Sequence, residues 1–253
     1  MSRVGVRHRW LFGLLLLLPI TALRAAEPEP VVAYAYHLKP PFITDVQKSQ
    51  GLYFAFADYV NRKLGRVVMR TEYMPRKRLD QVLNSADFRG VVLGVNPVWF
   101  HDTEEKNYLW TSTLMKDRDE LVSSALRPIQ YNGPDSLQGK MIGGVQGHYY
   151  YGIDEAVKAG QLRREDTDSE LQNLTKLRVQ RIDATIISRS TYSYLMRHYG
   201  GSEYYFLSDR PHDVFARRVL VPHARRDVYE WLEPVMKKMQ ADPEWQAIVK
   251  AYQ

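Results

Sequence analysis

Residues 31–65, VVAYAYHLKPPFITDVQKSQGLYFAFADYVNRKLG, contain the strand and the helix that decide the fold class. Residues 31–36 are aliphatic and aromatic, which is typical of a β-strand. A proline pair at 40–41 ends this strand because proline supplies no backbone N–H to a sheet. Apolar residues at helical spacing predict a helix over 52–64, and Gly65 is placed to end it. The stretch is therefore the first strand–helix unit of an α/β protein.

The same alternation of strands and helices continues along the chain. The next predicted elements are a strand at 67–73, a helix at 76–83 and strands at 90–95, 120–126, 141–145, 182–187 and 213–219. Helices are predicted after Gly147, at 171–179 and within 225–251, where Pro234 and Pro243 interrupt them. This order suits two lobes, with 120–126 leading into the second lobe and 213–219 leading back. The predicted fold class is α/β, two-lobed, with two crossing hinge strands.

The N-terminus has the pattern of a cleavable secretory signal. Arg3, Arg7 and Arg9 precede an apolar run of about 14 residues, whereas a membrane-spanning helix needs roughly 20. Ala25 and Ala26 are small residues at which cleavage is expected. An uncleaved anchor is the alternative, and the short run argues against it.

The predicted organisation has three parts. Residues 1–26 form the signal, 27–119 and 220–253 form lobe 1, and 120–219 form lobe 2, including the hinge strands. The chain is expected to be a periplasmic monomer.

Charge and cysteine content exclude several classes of protein. The formal net charge of +6 becomes +2 once the four arginines of the signal are left out, so no nucleic-acid partner is expected. The chain has no cysteine, which excludes disulfides, thiolate metal sites and a lipid-bearing cysteine. Neither a metal nor a cofactor is predicted.

Several short motifs resemble the periplasmic solute-binding proteins of family 3, the polar amino-acid type. They are Pro40-Pro41-Phe42, Lys63-Leu64-Gly65, Leu109-Trp110-Thr111-Ser112, Leu137-Gln138-Gly139-Lys140, Gly143-Gly144-Val145-Gln146-Gly147 and Arg181-Ile182-Asp183-Ala184. Their order and spacing carry the resemblance, which covers nearly all of the chain after the signal. It implies the two-lobed periplasmic binding protein fold of type II. Its cleft would close on a small polar ligand, for an ABC permease or for a membrane receptor.

The resemblance places eight candidate ligand-binding residues around this cleft: Tyr36, Lys39, Arg76, Asn96, Gln146, His148, Tyr149 and Ser188. Trp99 is a ninth candidate, since with Tyr36 it could stack on a flat or cationic ligand. The turn at 146–149 is expected to offer free amides to an anion at a helix start. Several candidates have a structural alternative. Trp99 is as suited to packing beneath the cleft as to lining it, Arg76 suits a solvated helix start, and so does His148.

Two departures from the family pattern affect the expected ligand. Family members that bind α-amino acids hold the carboxylate with an Arg shortly after the third strand, but residues 96–101 contain none. They hold the ammonium with an Asp at the position of Ser188, whose hydroxyl carries no charge. Arg76 or His148 could replace the anion contact. We expect free glycine, alanine and glutamine to bind weakly.

An enzyme is the remaining alternative, since a few exported enzymes, such as cyclohexadienyl dehydratases, use the fold that the resemblance implies. No Gly-x-Ser-x-Gly elbow, His-Glu-x-x-His pair or phosphate loop is present. Glu104, Glu105 and His148 are the acid–base candidates near the expected cleft. A binding protein is favoured over an enzyme.

Overall fold

A computed structural model gives the structure of residues 29–252, so the predicted signal at 1–26 lies outside the described residues. The strands are β1 (Val31–Ala35), β2 (Met69–Tyr73), β3 (Val91–Val95), β4 (Tyr108–Trp110), β5 (Met115–Ser124), β6 (Met141–Val145), β7 (Arg163–Thr167), β8 (Ala184–Ser188), β9 (Tyr205–Leu207) and β10 (Asp213–Pro222). The helices are α1 (Leu52–Leu64), α2 (Arg76–Leu83), α3 (Ile153–Lys158), α4 (Glu170–Arg178), α5 (Arg189–Tyr199), α6 (Arg226–Met239) and α7 (Pro243–Tyr252). None of these helices is long and apolar enough to cross a membrane.

The strands form two parallel groups that two long antiparallel strands connect. The sheet order is β2-β1-β3-β10-β5-β8-β6-β7, with β4 on β10 and β9 on β5. β1 runs parallel to β2 and β3, and β6 runs parallel to β7 and β8. β10 pairs with β5 over residues 213–217 and with β3 and β4 over 218–222, so it belongs to both groups. The predicted two-lobed α/β class with two crossing strands is confirmed.

Local sequence accounts for the first two helices. Leu52, Phe56 and Val60 are buried on one side of α1, and Gly65 ends the helix with φ 67, in the left-handed region that glycine tolerates. α2 spans the predicted residues and buries Leu79 and Leu83. Both helices pack on the sheet of the first lobe.

The loop after β6 differs from the prediction. No helix begins after Gly147, because α3 starts only at Ile153 and is six residues long. The side chain of Asp154 accepts the Tyr150 N–H at 2.6 Å, and Glu155 accepts the Gly152 N–H at 2.7 Å. These two amides are therefore occupied within the loop, and the helix start that the predicted anion site requires lies at Ile153 instead of directly after Gly147.

Pro234 does not interrupt the helix that contains it. α6 runs from Arg226 to Met239, with Pro234 on its exposed side. The carbonyl that loses its hydrogen bond belongs to exposed Glu230 and can be hydrated. Pro243 begins α7, a position that proline favours.

The first crossing strand is longer than predicted. β5 begins at Met115 instead of residue 120, and the sequence also gave no prediction for β7, α5 or β9. The additional residues of β5 include Asp117 and Asp119.

Candidate functional site

A set of buried charges lies where the two crossing strands face both lobes. Side chains alternate along a strand, so Asp117 and Asp119 share one side of β5, and Phe215 and Arg217 share the same side of β10. The register pairs Asp117 with Phe215. We call these four residues the interlobe face.

Arg217 and Asp117 form the central ion pair of the interlobe face. Arg217 Nε donates to Asp117 Oδ2 at 3.0 Å, and both side chains are 2% exposed. Arg217 Nη1 also donates to the Gly94 carbonyl of β3 at 3.1 Å. From the second lobe, Ser190 Oγ donates to Asp117 Oδ2 at 2.7 Å. The pair therefore connects the two lobes at the crossing strands.

Aromatic rings enclose the Arg217 guanidinium. Its central carbon lies 4.2 Å from the ring centroid of Phe42, 5.1 Å from that of Phe215 and 5.4 Å from that of Trp99. The Trp99 and Phe215 rings are 4.9 Å apart, edge to face. These rings give the guanidinium cation–π contacts and keep water away from the ion pair.

His37 is a neutral member of this cluster. Burial, then the charges of Arg217 and Lys39, lower its pKa well below the usual value. Its Nε2 lies 3.4 Å from Arg217 Nη1, so it faces a donor and accepts, and its Nδ1 lies 3.4 Å from the Tyr53 hydroxyl. A protonated imidazole would place a second cation against Arg217, which explains the direction of the shift.

A second ion pair joins the two lobes. Lys39, on the loop after β1, lies with its Nζ 2.6 Å from Oε1 of Glu170, the first residue of α4, and the two side chains are 13% and 5% exposed. Burial would raise the pKa of Glu170, but Lys39 outweighs it and the pKa is lowered. Burial and the charge of Lys39 lower the pKa of His148 to about 4, so that imidazole is neutral at pH 7.

Asp119 is the partly buried carboxyl group of the interlobe face. It lies directly across the strand pair from Ser188 of β8. Burial raises its pKa to about 6, although Lys39 and Arg217 act to lower it. Among residues 29–252, its carboxylate accepts no hydrogen bond, and no cationic nitrogen lies within 4.0 Å of it.

Tyr36, Arg76 and Trp99 are brought together beside this cluster. Arg76 Nη1 donates to the Tyr36 hydroxyl at 3.3 Å, Nη2 donates to the Trp99 carbonyl at 3.0 Å, and Nε donates to Asp80 at 2.7 Å. The guanidinium also lies 4.3 Å from the Phe100 ring. Arg76 therefore has defined protein contacts and fixes the position of Trp99, unlike a freely solvated charge at a helix start.

Asn96 and Ser188 make short-range structural bonds. Asn96 Oδ1 accepts the Trp99 N–H at 3.1 Å and so stabilises the 3-10 turn at Val98–Phe100. Ser188 is buried, and its hydroxyl donates to Thr191 Oγ1 at 2.9 Å. Both residues border the cluster and support its shape.

Gln146 and Tyr149 lie outside the cluster. Gln146 is exposed, and Tyr149 is 63% exposed with its hydroxyl bonded to Glu155. Among the described residues, no side-chain hydrogen bond joins either of them to the interlobe face. The remaining second-lobe candidate, His148, lies near Lys39 and Glu170 instead.

The acid–base candidates are not assembled into one group. Glu105 pairs with Arg218 at 2.5 Å, and Glu104 is exposed and pairs with Lys106. His148 lies on the other lobe. In the part of the chain that the structure describes, no group of three or more His, Asp or Glu residues is placed to hold a metal ion.

Sequence reasoning missed five ionisable residues that lie between the lobes: His37, Asp117, Asp119, Glu170 and Arg217. One signal was present, because period-two alternation within the predicted strand at 213–219 places Arg217 on the same side as Phe215 and Val219. An arginine between apolar residues on the inner side of a strand indicates a buried charge that needs a partner.

The chain has the two-lobed periplasmic binding protein fold of type II. No protein-family model and no curated protein sequence matches the chain. Three solved structures illustrate the likeness, which is one of fold. The GluR0 ligand-binding core complex with L-glutamate has a TM-score of 0.67 at 10% identity and covers 89% of this chain and 98% of its own. The substrate-binding protein of an amino acid ABC transporter has 0.64 at 18%, covering 88% and 99%. An arginine transport-system periplasmic binding protein from Legionella pneumophila has 0.63 at 13%, also covering 88% and 99%. The resemblance seen in the sequence motifs is thus confirmed at the level of the fold.

Proposed function

We propose that this chain is a periplasmic solute-binding protein that captures a small polar, amino-acid-like ligand for ABC-type uptake. The observation that carries the proposal is the interlobe face, where fixed charges and aromatic rings from both lobes meet at two crossing strands. A ligand held there would contact both lobes at once, so its binding free energy would favour the closed state.

The structural neighbours support a binding role over an enzymatic one. Those compared above are named as binding proteins or as a ligand-binding core, and two of them belong to transport systems. We propose that Lys39, His148, Tyr36 and Trp99 border the ligand and that Arg76 and Asn96 hold Trp99 in place. Ser188 would lie at the floor of the cleft, with Gln146 and Tyr149 at its rim.

Ligand binding is expected to compact the protein and raise its thermal stability. A thermal-shift screen of amino acids, polyamines, dipeptides and organic acids identifies binders, since a ligand at 100 times its dissociation constant adds about 2.7 kcal/mol. Small-angle scattering with and without the best binder should then show a smaller radius of gyration. A binder that stabilises the protein at saturation without changing the radius would contradict closure by hinge bending.

The similarity to the GluR0 ligand-binding core favours one second candidate, a protein that reports its ligand to a membrane receptor. Both roles use the same closure, so the partner distinguishes them. Co-purification of the ligand-bound protein with a permease supports uptake, and co-purification with a sensor supports signalling.

We propose export through a cleavable signal, with 27–119 and 220–253 forming lobe 1 and 120–219 forming lobe 2. The full chain, expressed with its own N-terminus, should accumulate in the periplasmic fraction shortened by about 25 residues, as expected for signal cleavage. Mass spectrometry of that fraction gives the cleavage site. Recovery of the uncut chain from membranes would show that the segment is an anchor.

A further inference from the structure

Building on the proposed function, we infer that Asp119 is the counter-ion for a positively charged group, an ammonium or a guanidinium, of the bound ligand. The ligand class is therefore a small cationic or zwitterionic molecule. This assignment rests on how the charges between the lobes pair with one another.

The other charged groups of this region have partners in the chain. Arg217 pairs with Asp117, and Lys39 pairs with Glu170. Near Tyr36 and Trp99, Arg76 pairs with Asp80. Each lobe and both crossing strands thus contribute charges that are already compensated.

Asp119 is the partly buried carboxylate that has no such partner. The charges that act on it come from Lys39 on the loop after β1, from Arg217 and His212 at β10, and from Asp117 on its own strand. The Lys39 ammonium is held by Glu170 at 2.6 Å, whereas no cationic nitrogen of the described residues lies within 4.0 Å of Asp119. Asp213, opposite Asp119 on β10, also lacks a cationic partner among the described residues, but it is exposed to water, so Asp119 is the partly buried carboxylate without one.

The cross-strand neighbour of Asp119 on β8 is a small residue. Ser188, directly across the strand pair, is small, and its hydroxyl is directed to Thr191. Cross-strand side chains of this kind have Cβ atoms about 4.5–5.5 Å apart, so a group beside Asp119 also lies beside Ser188. Closure of the lobes would bury the Asp119 carboxylate further, which is unfavourable unless a cation enters with it.

Asp119→Asn tests the assignment, with Asp213→Asn as the matched control. Asp213 lies opposite Asp119 on β10 but is exposed, so both variants lose one carboxylate at neighbouring positions. The cationic probes are L-arginine and agmatine, and the probes without a cation are succinate and N-acetyl-L-glutamine. Calorimetry measures affinity, and thermal unfolding checks that each variant is folded.

We expect the wild type to bind a cationic probe and Asp119→Asn to weaken that binding by roughly 30-fold or more, as for the loss of one partner of a desolvated charge pair. Asp213→Asn should stay within about 3-fold, as a change at an exposed charge does. Asp119→Asn should melt no lower than the wild type near pH 7, because the variant removes an uncompensated charge.

Each other outcome overturns the assignment. If the wild type binds only the probes without a cation, the solute-binding function stands and Asp119 is not a counter-ion. If both variants bind a cationic probe as the wild type does, the cation is held elsewhere. If no probe of either kind binds, both the assignment and the proposed ligand class fail.

Discussion

Replacing Asp117 with alanine is expected to lower the free energy of unfolding by about 3–5 kcal/mol, because it leaves the Arg217 guanidinium buried without its counter-ion. Both partners are 2% exposed, so water cannot take the place of the lost carboxylate. The same substitution removes the acceptor of the Ser190 hydroxyl. Urea denaturation followed by circular dichroism measures the difference.

Two controls separate the buried charge from a general effect of substitution. Glu105→Ala removes one partner of the more exposed pair with Arg218, and such pairs contribute about 0–1 kcal/mol. The double variant Asp117→Leu with Arg217→Met removes both charges and should recover much of the loss. If Asp117→Ala costs no more than Glu105→Ala, the guanidinium finds another partner and the ion pair does not stabilise the folded protein.

The second large effect is expected for Gly94→Ala, which should cost about 3 kcal/mol or more through overpacking and backbone strain together. Gly94 has φ +68, and an added Cβ would lie 1.7 Å from the Tyr53 hydroxyl oxygen. The Tyr53 ring is buried and stacks on Phe42 at 5.0 Å between centroids, so it has little room to move. Thermal and urea unfolding both report the loss.

Gly160→Ala is the matched control for backbone strain. Gly160 has φ +72, but an added Cβ would meet no atom within 4 Å, so this variant should cost only about 1 kcal/mol. Adding Tyr53→Phe to Gly94→Ala should recover part of the loss because it removes the atom that clashes first. Equal losses at the two glycines would show that packing against Tyr53 contributes nothing.

The parts of the fold that sequence predicted are those that local patterns determine. α1, α2 and β6 occupy the predicted residues because the apolar pattern lies within each segment, and Gly65 ends α1. The prediction of a helix directly after Gly147 also failed for a local reason. Two backbone amides of the loop after Gly147 are taken by Asp154 and Glu155, which compete with helix formation.

The candidate site depended on contacts that local patterns do not contain. Asp117 and Arg217 are 100 residues apart in sequence and meet because two crossing strands pair in one register. Lys39 and Glu170 are 131 residues apart and meet because the lobes approach each other. Family resemblance directed attention to Ser188, while the partly buried carboxylate belongs to its cross-strand neighbour, Asp119.

The course of β10 through both lobes has a consequence for how the chain is made. Residues 213–217 pair with β5, and residues within 218–222 pair with β3. Both strand groups therefore need the same late segment of the chain to complete their pairing. During synthesis from the N-terminus, neither half can acquire its final strand until most of the chain has been produced. Long-range pairing of this kind slows folding. A chain that folds late remains unfolded for longer. An unfolded chain can pass through a narrow translocation channel, as the proposed export requires.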